Sequence, residues 1–501
     1  MKNENFFQLI AGGLAARREK SFLATPDNRV WTFGDIDALS AKIARALVDA
    51  GARPGDRVAA QVEKSAENVA LYLAALRAGL VYLPLNTAYT PQEIDYFIKD
   101  AEPAIFVCDP ARAENAASGP ATFTLSSQGA GTLIDAARRA PPLYDIEPRY
   151  ADDLAAILYT SGTTGRSKGA MLTHRNLSSN ALALIDAWKI ESCDVLLHAL
   201  PIFHIHGLFV ALNTALIKTC SIIFLPKFDV GAVRRALPGA TLMMGVPTFY
   251  ARLLAENDFS ADECAGVRLF ISGSAPLTAE THRAFEKRTG FKILERYGMS
   301  EAGMIASNPL AGDRVAGTVG YALAGVELRV CANGAPLAPG ETGIVEVRGA
   351  NVFKGYWRMP EKTAREFRGG GWFSTGDVGF LSEDGRLTLS GRAKDLIIVG
   401  GMNVYPKEIE DILGALPGIA ECAVIGAAHA DMGEGVVAVL VPAPARASDP
   451  PPDEAALRDA LAGLARFKQP RRFYWLDALP RNAMGKVQKQ VLRDMYADAF
   501  A

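Results

Sequence analysis

Apolar spacing along this chain switches repeatedly between the helical and the extended period. From Trp31 to Leu85, a segment led by Thr32 (TFGDIDALSAKIARALVDAG) carries apolar residues at helical spacing. The strand-like RVAAQV follows, then a second helical segment ending near Arg77-Ala78-Gly79. The rhythm recurs through AAILYT (155–160), SIIFLP (221–226), TLMMGV (241–246), VRLFISG (267–273) and KILERYG (292–298), each flanked by glycine or proline and mostly followed by helical segments. Helices between short β-rich runs can bury their apolar faces only by stacking in layers, so the pattern predicts a large α/β domain with several sheets.

Past Gly317 the character changes to short strands and turns, with Asn333-Gly334, Pro339-Gly340 and Asp384-Gly385 as turn signals, which predicts a β-rich subdomain over about 317–393. The segment 391–410 then leads into a smaller α/β unit, in which AECAVIGAA and GVVAVLVPA read as strands and ASDPPPDE as a loop. The division expected is a domain of residues 1–393 and a small, mobile one of residues 394–501. A length of 501 residues exceeds what one core usually needs.

Composition excludes several functional classes. Lys+Arg is 53 against Asp+Glu 55, so the formal charge of -2 provides no field for a polyanion, and no nucleic-acid partner is expected. The six cysteines (Cys108, Cys193, Cys220, Cys264, Cys331, Cys422) are scattered without a C-x-x-C pair, and they read as buried thiols of a reducing compartment. The opening MKNENFFQLIAGG has no long apolar run or cleavage site, and the most apolar stretches are broken by Arg77, His204, His206 and Lys218. No membrane association and a cytoplasmic location are the expectations, and the final Ala-Phe-Ala is not a peroxisomal address.

The first chemical signal is YTSGTTGRSKG (159–169), which follows a strand-like run and packs hydroxyls, glycines and two cations into one loop. Backbone N–H and side-chain O–H groups in such a loop can wrap phosphate oxygens. A Walker A loop is excluded, because Lys168 is followed by Gly169 rather than Ser or Thr. The whole string resembles the signature loop of the acyl-CoA synthetase, nonribosomal adenylation domain and luciferase superfamily.

That resemblance implies that Thr160, Ser161, Gly162, Thr163, Thr164, Gly165 and Lys168 hold the pyrophosphate part of ATP. It extends in order from Trp31 onward. SGSAP (272–276) resembles the loop along adenine, with Gly273, Ser274 and Ala275. ERYGMSE (295–301) resembles the segment that contributes Glu295 and Arg296 to the nucleotide site and stacks Tyr297 on the purine, with Ser300 and Glu301 near phosphate and Mg²⁺. Relatives usually carry Thr where Ser300 stands, and the hydroxyl is retained. Asp377 of STGD (374–377) resembles the ribose-binding aspartate, with Arg392 as its partner. Lys394 falls at the family's hinge, and Gly400 and Gly401 resemble the loop lining the pantetheine tunnel for coenzyme A. Lys486 of PRNAMGK (480–486) resembles the lysine that enters the adenylation site, where a cation bridges two converging anions. An acetyltransferase acting on Lys486 is the protein partner this role suggests.

The acid is read from two further segments. PIFHIHG (201–207) supplies His204, which the resemblance places at the carboxylate entry, and His206, which would share its face if both lay on a strand. GVPTFYAR (245–252) puts Pro247 at a first helical turn, so that Thr248 and Arg252 face the same way. If Thr248 lines the acyl pocket, Arg252 projects a cation into it, and a second carboxylate on the substrate would neutralise that cation by a bidentate pair. Within the superfamily the arrangement most closely resembles malonyl-CoA synthetases, with Arg283 as a second candidate for the distal carboxylate. The expected activity is AMP-forming ligation of a small dicarboxylate to coenzyme A, with ATP and Mg²⁺. A fatty or aromatic acyl-CoA synthetase and a stand-alone protein loading a carrier stay open.

Overall fold

A computed structural model describes residues 2–116, 120–160, 167–443, 451–481 and 486–500 of the chain. The α/β architecture is as expected: a large multi-sheet N-terminal part and a smaller C-terminal part. Helix Phe33–Asp49 starts at Thr32, whose hydroxyl accepts from the Asp35 N–H at 3.1 Å while the Asp35 carboxylate accepts from the Thr32 N–H. This reciprocal cap satisfies donors that every helix start leaves open. Helix Ala66–Arg77 is buried on every side. Its residues share one hydrophobic cluster with Val58 and Ala155 of a seven-stranded sheet and with Leu196 and Ile222 of a nine-stranded sheet, so it fills a layer common to both.

The predicted β-runs become strands Leu154–Thr160, Ser221–Phe224, Leu242–Gly245, Leu269–Ser272 and Leu294–Met299. The first lies in the seven-stranded sheet, and the others sit side by side with Val195–His198 in the larger one. Their pairing is parallel, and Gly245 and Ser272, at the carboxyl ends of their strands, are in register with Glu295 near the start of Leu294–Met299. Such ends are where open α/β sheets form ligand crevices. Strand Leu294–Met299 then turns back through Ser300 and Glu301 into the antiparallel strand Gly303–Ser307.

Most strands after Gly317, between Val326–Ala332 and Leu387–Arg392, form a six-stranded antiparallel sheet, in which Asp377 on Trp372–Leu381 is paired with Arg392 on Leu387–Arg392. A five-stranded C-terminal sheet follows, and its two hydrophobic clusters are built only from Ile397 and later residues. No helix among the described residues is long and apolar enough to cross a membrane.

Two expectations are corrected. Cys193 is exposed and Cys422 half-buried, so only four of the six thiols lie in the interior; none is in a disulfide. His204 and His206 do not lie on a strand. His204 stands in a bend, and His206 opens a π-helix, His206–Leu212. Gly207 permits this course, because a Cβ there would lie 2.0 Å from the Pro201 carbonyl oxygen. The chain folds back on itself too tightly for a strand.

Candidate active site

The carboxyl end of strand Leu294–Met299 meets the antiparallel sheet at Tyr297, whose buried hydroxyl donates to Asp377 Oδ2 at 2.5 Å. The other Asp377 oxygen lies 2.9 Å from Arg392 Nε, a pair created by the strand register. The Asp377 charge raises the Arg392 pKa further, and burial followed by Asp377 raises that of Tyr297 well above the usual phenol value. An aromatic face next to a carboxylate with two oxygens fixed in direction is suited to a nucleoside, with the base on the ring and the ribose hydroxyls at the acid.

Glu301 is buried where the hairpin turns, 3.1 Å from the Tyr356 hydroxyl and 3.4 Å from that of Thr160. Lys168 lies over the Tyr356 ring at 4.3 Å, with its ammonium 3.3 Å from the hydroxyl and 3.8 Å from Glu366, and burial lowers its pKa. Sequence reasoning missed Tyr356 and Glu366. Gly355 and Tyr356 reach this place by antiparallel pairing with Met171 and Ala170, a contact no local pattern announces. Ser161, Gly162, Thr163, Thr164 and Gly165 lie outside the described residues. Among the described residues no cluster of three or more acidic, histidine or cysteine side chains could hold a metal by itself. Glu301 with the Thr160 hydroxyl nevertheless fits Mg²⁺ arriving on phosphates, since that ion keeps substrate oxygens and water as most of its ligands.

A second group of buried polar side chains is organised around Arg296, which is 3% exposed. Its Nε and Nη2 are buried without an acceptor, and burial lowers its pKa to about 9. The guanidinium lies against Gly273, where an added Cβ would sit 2.4 Å from Cζ. Beside it, His206 Nδ1 is 3.2 Å from Ser274 Oγ, while His206 Nε2 and Ser272 Oγ are buried without partners. Ser274 holds a φ of 72°, a conformation costly for a residue with a side chain. Burial, then the charges of Lys486 and Arg296, lowers the His204 pKa to about 3, and burial keeps His206 neutral as well. Glu295 accepts from the Leu277 N–H at 2.9 Å, and burial raises its pKa to about 7.

Arg252 and Arg283 are not part of this cavity as buried cations; both are exposed. Helix Pro247–Ala255 buries Tyr250 and Leu253, and Arg252 is turned about 200° and 100° from them at 100° per residue. Thr248 and Arg252 do share a face, and it is the outer one. Helix Ala279–Thr289 buries His282, Phe285 and Thr289, which turns Arg283 outward in the same way.

From the C-terminal part, Lys486 comes close enough to Arg392, Asp377, Glu301 and Arg296 for each to act on its charge, and burial, the largest influence, lowers its pKa to about 8. Lys394 is exposed in the short turn Ala393–Asp395. Gly400 and Gly401, with φ of 57° and 82°, form the tight connection between strands Ile397–Val399 and Met402–Val404, a turn with two positive φ values for which glycine is preferred.

The chain is similar over its length to proteins of known structure. A crystal structure of ATP-bound MatB from Rhodopseudomonas palustris matches over 100% of both chains, with a TM-score of 0.95 and 51% identity. A malonate–CoA ligase of Arabidopsis thaliana is 36% identical over 484 residues, covering 88% of this chain and 78% of that protein. A feruloyl-CoA synthase of Amycolatopsis sp is 36% identical over 468 residues, covering 92% and 93%. Residues 14–357 match the AMP-binding enzyme family and residues 408–486 match the AMP-binding enzyme C-terminal domain. The match of residues 14–357, more than half of the chain, places this chain in the AMP-binding enzyme family.

Proposed function

We propose that this chain is a malonate–CoA ligase that works through an acyl-adenylate. Relatives of equal identity act on malonate and on ferulate, so family membership alone leaves the acid undecided. The reading is supported by Arg296, a buried guanidinium with two nitrogens lacking acceptors, close enough to His206 for its charge to act there, with His206 Nε2 also buried without a partner. An uncharged acyl tail would leave all three unsatisfied, whereas a distal carboxylate would accept from them, and the guanidinium fork can hold it by two parallel bonds.

In the first half-reaction a malonate carboxylate oxygen attacks the α-phosphorus of ATP, the bond to the β-phosphate oxygen breaks, and pyrophosphate leaves. Lys486 would lie between the two anions, offsetting their repulsion as they converge, and His204 would border the entering carboxylate as a neutral wall. Asp377 and Arg392 would hold the ribose end, Tyr297 the base, and Ser300 the α-phosphate. Mg²⁺ held by Glu301 would neutralise phosphate charge.

In the second half-reaction the coenzyme A sulfur attacks the acyl carbon and AMP leaves. Rotation about Lys394 would carry the Gly400-Gly401 turn to the pantetheine arm. Acetylation of Lys486 would remove the first step's cation and spare thioester formation from preformed malonyl-AMP.

Pyrophosphate release with malonate, methylmalonate, butyrate, benzoate and ferulate, each with ATP and free coenzyme A, tests the reading. Malonate should lead. A preference for ferulate, benzoate or butyrate would overturn the diacid assignment.

A further inference from the structure

Lys64 lies outside every segment so far given a role. It stands between strand Arg57–Gln61 and helix Ala66–Arg77, and it reaches from one large sheet to the other. Its ammonium is 2.8 Å from the His198 carbonyl oxygen, 2.6 Å from that of Leu225, 2.8 Å from His198 Nδ1 and 4.3 Å from the centre of the Phe224 ring. All of these partners are neutral, and burial alone drives the Lys64 pKa well down. A half-buried ammonium with no carboxylate partner is an expensive way to join two sheets.

The hydrogen-bond inventory defines what the ammonium does. Three N–H donors meet three acceptors, so His198 Nδ1 presents its lone pair and the ring proton sits on Nε2. Nε2 then donates to the Gly207 carbonyl oxygen at 2.9 Å. Gly207 is the second residue of the π-helix that begins at His206 and is held against Pro201. A widened turn of this kind is uncommon, and it recurs at functional sites. Each bond in the series is directional, so the Lys64 ammonium is linked through one imidazole to the backbone that carries His206. His206 is the residue set 3.2 Å from Ser274 beside Arg296.

We propose that Lys64 is a positioning residue for the diacid pocket, fixing the His198 tautomer and through it the turn that presents His206 to the distal carboxylate. The inference rests on the malonate reading above. It assigns Lys64 no contact with substrate.

The test is a KM-against-kcat split combined with a double-mutant cycle. In Lys64→Met the KM for malonate should rise on the order of tenfold to a hundredfold, as for a small misplacement of a binding group. The KM for ATP and the kcat at saturating malonate should stay within about twofold, since neither depends on His206. In Lys64→Met/His206→Ala the malonate KM should match that of His206→Ala alone, because both changes remove one interaction. Should Lys64→Met not fold, Lys64→Gln keeps two donors without the charge, and the same split is expected. Multiplying effects in the cycle, or equal losses in every kinetic constant, would overturn the positioning role. Wild-type protein that ignores malonate would sink the function reading instead, and the cycle run on the acid it does use would then decide the Lys64–His206 coupling by itself.

Discussion

Replacing Arg296 by methionine keeps an unbranched stem of similar length and removes only the guanidinium. In the free protein that group is an uncompensated buried cation. A pKa near 9 instead of 12.5 disfavours its charged form by about 5 kcal/mol. Exchange for an apolar side chain of similar volume should therefore be neutral or stabilising by about 1–4 kcal/mol at neutral pH. In the complex the balance reverses, because the malonate carboxylate loses its cation. Truncating one partner of a buried charged pair costs about 2–5 kcal/mol, or roughly thirty- to five-thousand-fold in kcat/KM. Butyrate has no charge at that end and should lose nothing, or gain. The assay is initial-rate pyrophosphate release with malonate and butyrate on wild type and Arg296→Met, alongside thermal melting of both proteins. A malonate-to-butyrate ratio unchanged by the substitution, or a variant that melts well below wild type without any change of preference, would refute the reasoning.

Three further outcomes follow from the same geometry. Gly273→Ala places a methyl 2.4 Å from Arg296 Cζ and must displace the guanidinium, so malonate kcat/KM should fall at least tenfold while ATP affinity, measured by equilibrium binding, changes little. For Lys486, whose pKa lies at about 8, the protonated form is the active one. Adenylation kcat/KM should then be level below that pH and fall about tenfold per pH unit above it, and Lys486→Arg should move this limb beyond the measurable range; a limb left in place would assign it elsewhere. Arg252→Ala and Arg283→Ala remove exposed side chains, so malonate kcat/KM should remain within about threefold of wild type, and a large selective loss in either would return the distal carboxylate to that helix.

Much of the architecture is legible in the chain because backbone sterics act locally. The switch of apolar period marks helix Phe33–Asp49 and strands such as Leu242–Gly245, and Thr32 with Asp35 marks a helix start. The segment 201–207 is different. His204 and His206 alternate as on a strand, yet Gly207 lies against the Pro201 carbonyl, a contact that exists only once the chain has turned back. Tyr356 beside Lys168 likewise depends on a strand pairing between residues far apart in sequence.

What residue order by itself determined is the set of elements and membership of the AMP-binding enzyme family, because these follow from short-range spacing and side-chain type. Tertiary structure alone decided which candidate arginine is buried, the observation on which the proposed diacid site rests. Arg252, Arg283 and Arg296 are equally charged, and helical spacing relates Arg252 correctly to Thr248 while leaving undetermined which side of the helix meets the core. Burial is a property of the surroundings: Tyr250 and Leu253 take the inner face of one helix, Phe285 takes that of the other, and Arg296 is enclosed on a strand within the sheet.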